Sequence, residues 1–499
     1  MEKKRRAGIL MPIASLPSPY GIGTLGEAAY RFVDGLHAAG VKVWQMLPLL
    51  PTGFGNSPYQ APAADALNYY FIDLPALESA GLLRRADYQN VDFGSDERRV
   101  DYGKMFENRV AVLRKAFARF DQTKEEWKQF LIEGRYADFA LFMSLKTHFS
   151  YRPFKEWGEA FKKFDATLTA MYIRENKAEI DFWQFTQFVF LKQWRALKNY
   201  ANAKGIELMG DMPIYLSADS VEAWKKGSEV FLTDGDGNFS LVAGVPPDAF
   251  SETGQLWGNP VYDYPKMQKD GYAWWKGRID RALETFDIVR IDHFRGFDRF
   301  YAVGYGETDA KNGEWMDGPK AELFVGRENQ KIVAEDLGVI DDGVRELMKK
   351  TGYPGMKVFL FGLDGNPENE HLPSEYKENI YAYTGTHDNE PVFAYFSALE
   401  GEEKEKIEKI LQEQCEKTGV LYRGESAEEQ TQTAVELVFA SKAEVAIAPY
   451  HDILGLGSEA RINFPSVLSE NNWSFRFTEK DFSADGWEKL GALVKKYGR

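Results

Sequence analysis

Eight short apolar runs, rich in β-branched and aromatic residues, recur along the chain. They are VKVWQMLPLL (41–50), YYFIDLPAL (69–77), IELMGDMPIYL (206–216), FDIVRIDHF (286–294), KIVAEDLGVI (331–340), MKVFLFGL (356–363), NIYAYTGTHD (379–388) and AEVAIAPYHDIL (443–454). Between several of them the apolar spacing lengthens to that of an amphipathic helix, as in GEAAYRFVDGLHAAG before the first run and GVRELMKKTG after the fifth. Near-continuous apolar strands that alternate with helices predict a parallel sheet covered on both faces. Eight such units predict an α/β fold of the (β/α)₈ barrel type, a TIM barrel.

Two connections are too long to be plain loops. Residues 78–205 carry charged, aromatic-studded helical patterns and are expected to form a mainly helical insertion after the second strand. Residues 218–285 include TDGDGNFSLVAGVPPDAFSETGQLWGNPVYDYP and are expected to form an insertion after the third strand that carries an active-site lid, since long irregular segments in compact domains are usually functional. No repeat of 20–50 residues and no low-complexity tail stands out. About 45 residues follow the eighth run, little room for a C-terminal β-domain, so residues 1–499 are read as a single catalytic domain.

Composition narrows the class. Hydrophobic residues are 44% and charged residues 27% of the 499, near the globular average, so a large core can form. A formal net charge of −15 without a basic cluster argues against nucleic acid as a partner. The lone Cys415 cannot form an internal disulfide, which fits a reducing compartment. The start, MEKKRRAGILMPIASLP, imitates a secretory signal, but Pro12 breaks the apolar run after five residues. No run is long enough to cross a bilayer. The expectation is a cytoplasmic protein with no membrane partner.

Charge at the ends of the apolar runs is the chemical signal. In FDIVRIDHFRGF (286–297), Arg290 and Asp292 share one face of a strand and Val289 and Ile291 the other. In a barrel the charged pair faces the interior near the C-terminal rim, where burial is costly unless the charges pair or act. The pattern repeats with Asp211 in MGDMPIY, Glu335-Asp336 in IVAEDLG and His387-Asp388-Asn389 in YTGTHDNE. Carboxylates at four strand ends converge on the face where barrel enzymes place their chemistry. A metal site could draw on Asp292, His293, Glu335 and His387, although neither an HxH nor an HExxH spacing occurs. Glycoside chemistry needs a carboxylate nucleophile, a carboxylic proton donor and support for an oxocarbenium-like transition state. Different strands supply all three, with no metal and no cofactor.

VRIDHFRGF, VAEDLG and TGTHDN, in that order, resemble the conserved segments of the α-amylase clan. The chain is most similar to the 4-α-glucanotransferase family, the amylomaltases or disproportionating enzymes. That resemblance extends through ILMPIASLPSPYGIGTLG, VWQMLPLLPTGFGNSPYQ and FSETGQLWGNPVYDY. It implies a barrel without the C-terminal β-domain of ordinary amylases. It also implies that Asp292 is the nucleophile, Glu335 the general acid/base and Asp388 the third carboxylate, which stabilises the transition state. Arg290 would keep Asp292 ionised, His387 would bind hydroxyls of the transferred sugar, and Asp211 would brace the same region. The Glu335 environment should raise its pKa so that it starts protonated. One segment departs from the family pattern. MN-x-PG is expected after the eighth strand, and the chain reads RINFPS, with Ile462 and Ser466 in the altered places and Asn463 and Pro465 kept.

A transferase must prefer a sugar hydroxyl over water, and an aromatic lid can exclude solvent and seat the acceptor. The resemblance places Asp248, Phe250, Gln255 and Trp257 over the cleft, with Tyr59 and Ser57 of NSPYQ lining the opposite wall. The expected activity is retaining transfer of α-1,4-linked glucan segments from a maltooligosaccharide to glucose or another glucan. An amylase-like hydrolase, a catalytically silent glucan-binding barrel and a metal-dependent barrel enzyme are the rivals. Maltotriose separates the first from a transferase, because transfer yields a ladder of longer products, and the intact Asp292, Glu335 and Asp388 set argues against the second. Chelation would silence the third.

Overall fold

The computed structural model describes residues 5–247 and 251–499. Its strands are β1 (Arg6–Leu10), β2 (Val43–Gln45), β3 (Glu207–Met212), β4 (Leu241–Val245), β5 (Gln255–Pro260) and β6 (Ile288–Ile291). They continue as β7 (Arg299–Gly304), β8 (Glu314–Asp317), β9 (Ile332–Ala334), β10 (Gly355–Val358), β11 (Ile380–Tyr383) and β12 (Val445–Pro449). Eight of these run parallel in the order β10-β11-β12-β1-β2-β3-β6-β9. A hydrogen bond from Ala334 N–H to the Pro354 carbonyl, 2.9 Å, closes the ring between β9 and β10. This is the expected (β/α)₈ barrel.

Alternation along each strand divides the core. Val289 and Ile291 join the large cluster formed with the surrounding helices. Ile288 packs inside the barrel with Val43, Met209, Val333, Met356, Tyr383 and Ile447. On β3 the inward positions read Glu207, Met209, Asp211, so the interior is polar at the bottom, apolar in the middle and polar at the C-terminal rim. Arg6 closes the bottom by pairing with Glu207 and, at 3.1 Å, with Glu444.

Two of the expected strands need correction. The first barrel strand is β1, inside the segment that imitates a signal, and it sits between β12 and β2. Gly8 suits that position because a Cβ there would lie 2.8 Å from Ile447 Cγ1. The run 69–77 is not a strand. It forms a short 3₁₀ turn, Tyr69–Phe71, and a helix, Leu74–Ser79, capped by Asn68 and Asp73 side chains. Its backbone finds partners outside any sheet. Gln187 exchanges two hydrogen bonds with the Leu67 backbone, and Gln193 does the same with Asp73. Both glutamines lie on the long helix Lys177–Ala203. Eight strands therefore remain, with β1 gained and 69–77 lost.

The first insertion, between β2 and β3, is helical. The second contributes β4 and β5 to a four-stranded antiparallel sheet of order β5-β4-β7-β8. Its other half, β7 and β8, comes from the connection after β6, so two segments build what the sequence assigns to one. Helices and turns follow β12. Among the described residues no helix is long and apolar enough to cross a membrane.

Candidate active site

Three strand ends bring together the candidate residues Asp211, Arg290, Asp292 and Glu335. Asp211 and Arg290 are register partners on β3 and β6. Arg290 Nη1 donates to both Asp211 oxygens, at 2.7 and 2.6 Å, and lies 3.1 Å from Asp292 Oδ1. One guanidinium thus serves two carboxylates, and they differ in access. The Asp211 side chain is fully enclosed, whereas 26% of the Asp292 side chain is open to the cleft. Tyr59 Oη donates to Asp211 Oδ2 at 2.7 Å, which completes the anchor beneath Asp292.

Glu335 stands beside Asp292 because β6 and β9 are paired neighbours and Ile291 is in register with Ala334. Adjacent strands lie about 4.8 Å apart, so the two carboxylates that follow these residues meet at close range. His293, immediately after Asp292, adopts a left-handed backbone (φ 45°). That turn aims its N–H at Glu335 Oε2, 2.6 Å away, while Leu337 N–H reaches Oε1 at 3.1 Å. Burial pushes both acids above the ordinary carboxylate range. Arg290 opposes the shift at both, and its direct contact is with Asp292. That contact favours the ionised form of Asp292. His293 is held neutral by burial, pushed down to about 3.

Asp388 approaches from the loop after β11. Asn463 Nδ2 donates to its Oδ1 at 2.7 Å, and His387 Nε2 is 3.4 Å from the same oxygen. Burial also lowers the His387 pKa. The RINFPS segment binds this loop in several places. Asn463 N–H donates to the His387 carbonyl at 3.1 Å. Arg461 donates to the Asn463 and Asp388 carbonyls at 2.9 and 3.2 Å and pairs with Glu390. The altered positions keep their physical parts. Ile462 is buried at the barrel mouth. Ser466 adopts the left-handed conformation (φ 63°) that the glycine of the family pattern would take without strain.

Aromatic walls flank the acids. Tyr59 stacks on His387, with centroids 5.3 Å apart, and Trp473 packs beside both. Facing them, Trp257 on β5 sits edge-on to His293 at 4.9 Å, and its indole N–H donates to Gln255 Oε1 at 3.2 Å. Ser57 Oγ accepts from Tyr59 N–H at 3.2 Å, capping the turn that carries the tyrosine. Asp248 and Phe250 lie outside the described residues. Sequence reasoning missed Trp473, Arg461 and the His293 backbone. Trp473 and Arg461 sit on loops with no periodicity to mark them, and a backbone donor leaves no sequence signal.

Of the positions offered for a metal, Asp292 contacts the Arg290 guanidinium and Glu335 accepts from two backbone N–H groups. The Arg290 guanidinium already stands between Asp211 and Asp292. Among the described residues no group of three or more His, Cys, Asp or Glu side chains is arranged to hold a metal ion.

Comparison with known proteins agrees with this geometry. Residues 11–481 match the profile of the family described as 4-alpha-glucanotransferase. The 4-alpha-glucanotransferase of Clostridium butyricum is 42% identical, covering 98% of this chain and 100% of its own. That of Thermus thermophilus is 39% identical, covering 99% of each. Among solved structures, the amylomaltase from Streptococcus agalactiae in complex with acarbose is 38% identical, with a TM-score of 0.93 over 99% of this chain and 100% of that one. The chain belongs to the 4-alpha-glucanotransferase family and is a glycosyltransferase.

Proposed function

We propose that the chain moves α-1,4-linked glucan segments from a maltooligosaccharide donor to glucose or another glucan by double displacement at Asp292. An Asp292 oxygen attacks the anomeric carbon, and the glycosidic C–O bond breaks as Glu335 gives its proton to the departing oxygen. The products of this half are a glycosyl ester on Asp292 and a free reducing-end fragment. The 4-hydroxyl of an acceptor then attacks the same carbon, Glu335 recovers a proton from that hydroxyl, and Asp292 leaves as carboxylate. Two inversions retain the anomeric configuration.

The observation that carries this reading is the placing of Asp292 and Glu335 on neighbouring strands with Arg290 in contact with Asp292. A charged partner favours the ionised nucleophile, while burial favours a protonated acid. Asp388, oriented by Asn463, is suited to hold sugar hydroxyls and to stabilise the oxocarbenium-like transition state. His387 and Asp211 would brace the same sugar. Tyr59 and Trp257 offer faces for sugar rings, and Gln255 orients the Trp257 indole. The chemistry needs no cofactor. The single cysteine supports a cytosolic setting.

Maltotriose tests this. A transferase yields glucose together with a ladder of products longer than the donor. Formation of shorter products alone would make the chain a hydrolase, and no turnover would make it a binding module.

A further inference from the structure

Two side-chain amides join the walls of the cleft. Gln60 follows Tyr59 on the loop after β2, and Asn259 lies two residues beyond Trp257 on β5. Gln60 Nε2 donates to Asn259 Oδ1 at 3.0 Å, and Asn259 Nδ2 donates back to Gln60 Oε1 at 3.1 Å. Gln60 Nε2 also reaches the Trp257 carbonyl at 3.2 Å, and Asn259 Nδ2 reaches the Leu216 carbonyl at 2.8 Å. Each amide nitrogen carries two hydrogens, and all four hydrogens have an acceptor. Asn259 is buried, so a lost partner would leave a polar group unsatisfied in the protein interior.

We infer that the Gln60–Asn259 pair is a positioning device that fixes the Trp257 wall against the Tyr59 wall and so determines whether the glycosyl enzyme meets a sugar or water. The inference rests on the transferase reading above. The hydrogen bonds of both amides go to each other and to backbone carbonyls, none to Asp292, Glu335 or Asp388. They act through their neighbours, because Tyr59 is tied to Asp211 and His387, Trp257 is packed on His293, and the amides span the distance between these groups. A lid strand free to shift relative to Tyr59 would still allow the first half of the reaction, which needs Asp292, Glu335 and the donor. The second half needs an acceptor held against both walls, and water needs neither wall.

The test uses the full-length enzyme with maltotriose as donor and glucose as acceptor. Gln60→Ala and Asn259→Ala should each raise the ratio of hydrolysis to transfer by at least about threefold, since a few lost hydrogen bonds suffice for that change. The KM for glucose should rise more than the KM for maltotriose. The double variant should resemble either single one, because both substitutions remove the same bridge. Should an alanine variant not fold, the near-isosteric Gln60→Glu and Asn259→Asp, each losing donors while keeping shape, should move the ratio the same way. A merely structural role lowers thermal stability and scales both reactions together. A parent enzyme that transfers, with variants whose ratio and glucose KM stay unchanged, overturns the inference alone. A parent enzyme that makes no longer products overturns the functional reading and this inference with it.

Discussion

The backbone N–H of His293 donates to Glu335 Oε2 across 2.6 Å, so the residue that follows the proposed nucleophile holds the proposed acid/base. The left-handed turn at His293 makes this possible. A non-glycine residue there costs roughly 1–2 kcal/mol, and the contacts around β6 and β9 hold it in place. The bond favours the Glu335 carboxylate, which stabilises the state reached once the proton has left. Burial works in the opposite direction and keeps the proton on before reaction.

This balance predicts a bell-shaped pH dependence of kcat/KM. The proposed mechanism needs Asp292 ionised and Glu335 protonated. Burial raises both, so the acid limb should lie above the ordinary aspartate range. The alkaline limb should fall as pH passes through the Glu335 value, pushed up to about 8 by burial. The limbs report the pair as a unit. A profile still rising well above that pH would show that Glu335 is not the proton donor.

Trp257→Ala should open the cleft and weaken acceptor binding. A buried aromatic contact is worth about 1–3 kcal/mol, which corresponds to roughly a 5- to 150-fold fall in transfer efficiency. Hydrolysis should fall less, so its share of the products from maltotriose should rise. If the two reactions fall in proportion, the indole only packs its strand.

Asn463→Ala removes the amide that orients Asp388 at 2.7 Å. A hydrogen bond to a charged group contributes about 1.5–3 kcal/mol, so kcat should fall roughly 10- to 150-fold with little change in thermal stability. Arg461→Ala should act in the same direction by releasing the Asp388 and Asn463 carbonyls. Steady-state rates on maltotriose check both, and wild-type kcat in both variants would remove Asp388 orientation from the account.

The barrel was legible because seven of its eight strands leave apolar runs, and its chemistry because charge at strand ends is out of place there. The carry-over of Asp292, Glu335 and Asp388 drew on the family resemblance. What stayed hidden has physical reasons. β1 opens on Arg6 and contains the small residues Ala7 and Gly8, and the basic stretch before it gives the segment the look of a secretory signal rather than of a strand. The run 69–77 has strand composition, but its backbone bonds to side chains, the Asp73 backbone to Gln193, 120 residues away, and the Tyr70 carbonyl to Arg109. The lid sheet joins β4 and β5 to β7 and β8 across the intervening β6, a pairing that no local pattern announces. Gln60 and Asn259 look like ordinary polar loop residues until the fold sets them face to face.

Ser466 marks the departure from the family pattern, and its positive φ makes it a place where glycine is less strained. Ser466→Gly should raise the stability of the folded chain by about 0.5–1 kcal/mol, the relief of left-handed strain less the entropy glycine adds to the unfolded chain. A higher unfolding midpoint with unchanged kcat is the expected result. A lower midpoint would mean that the serine side chain contributes more than its backbone costs.

The most direct test of the central claim is to trap the covalent intermediate. A Glu335→Gln variant given α-maltosyl fluoride has a leaving group that needs no protonation, while the second half lacks its base. Mass spectrometry of the denatured, digested protein should find one maltosyl unit on the peptide that contains Asp292. The same experiment with Asp292→Asn added should find none. Labelling that persists in the double variant, or that falls on another peptide, would contradict the assignment of Asp292 as nucleophile.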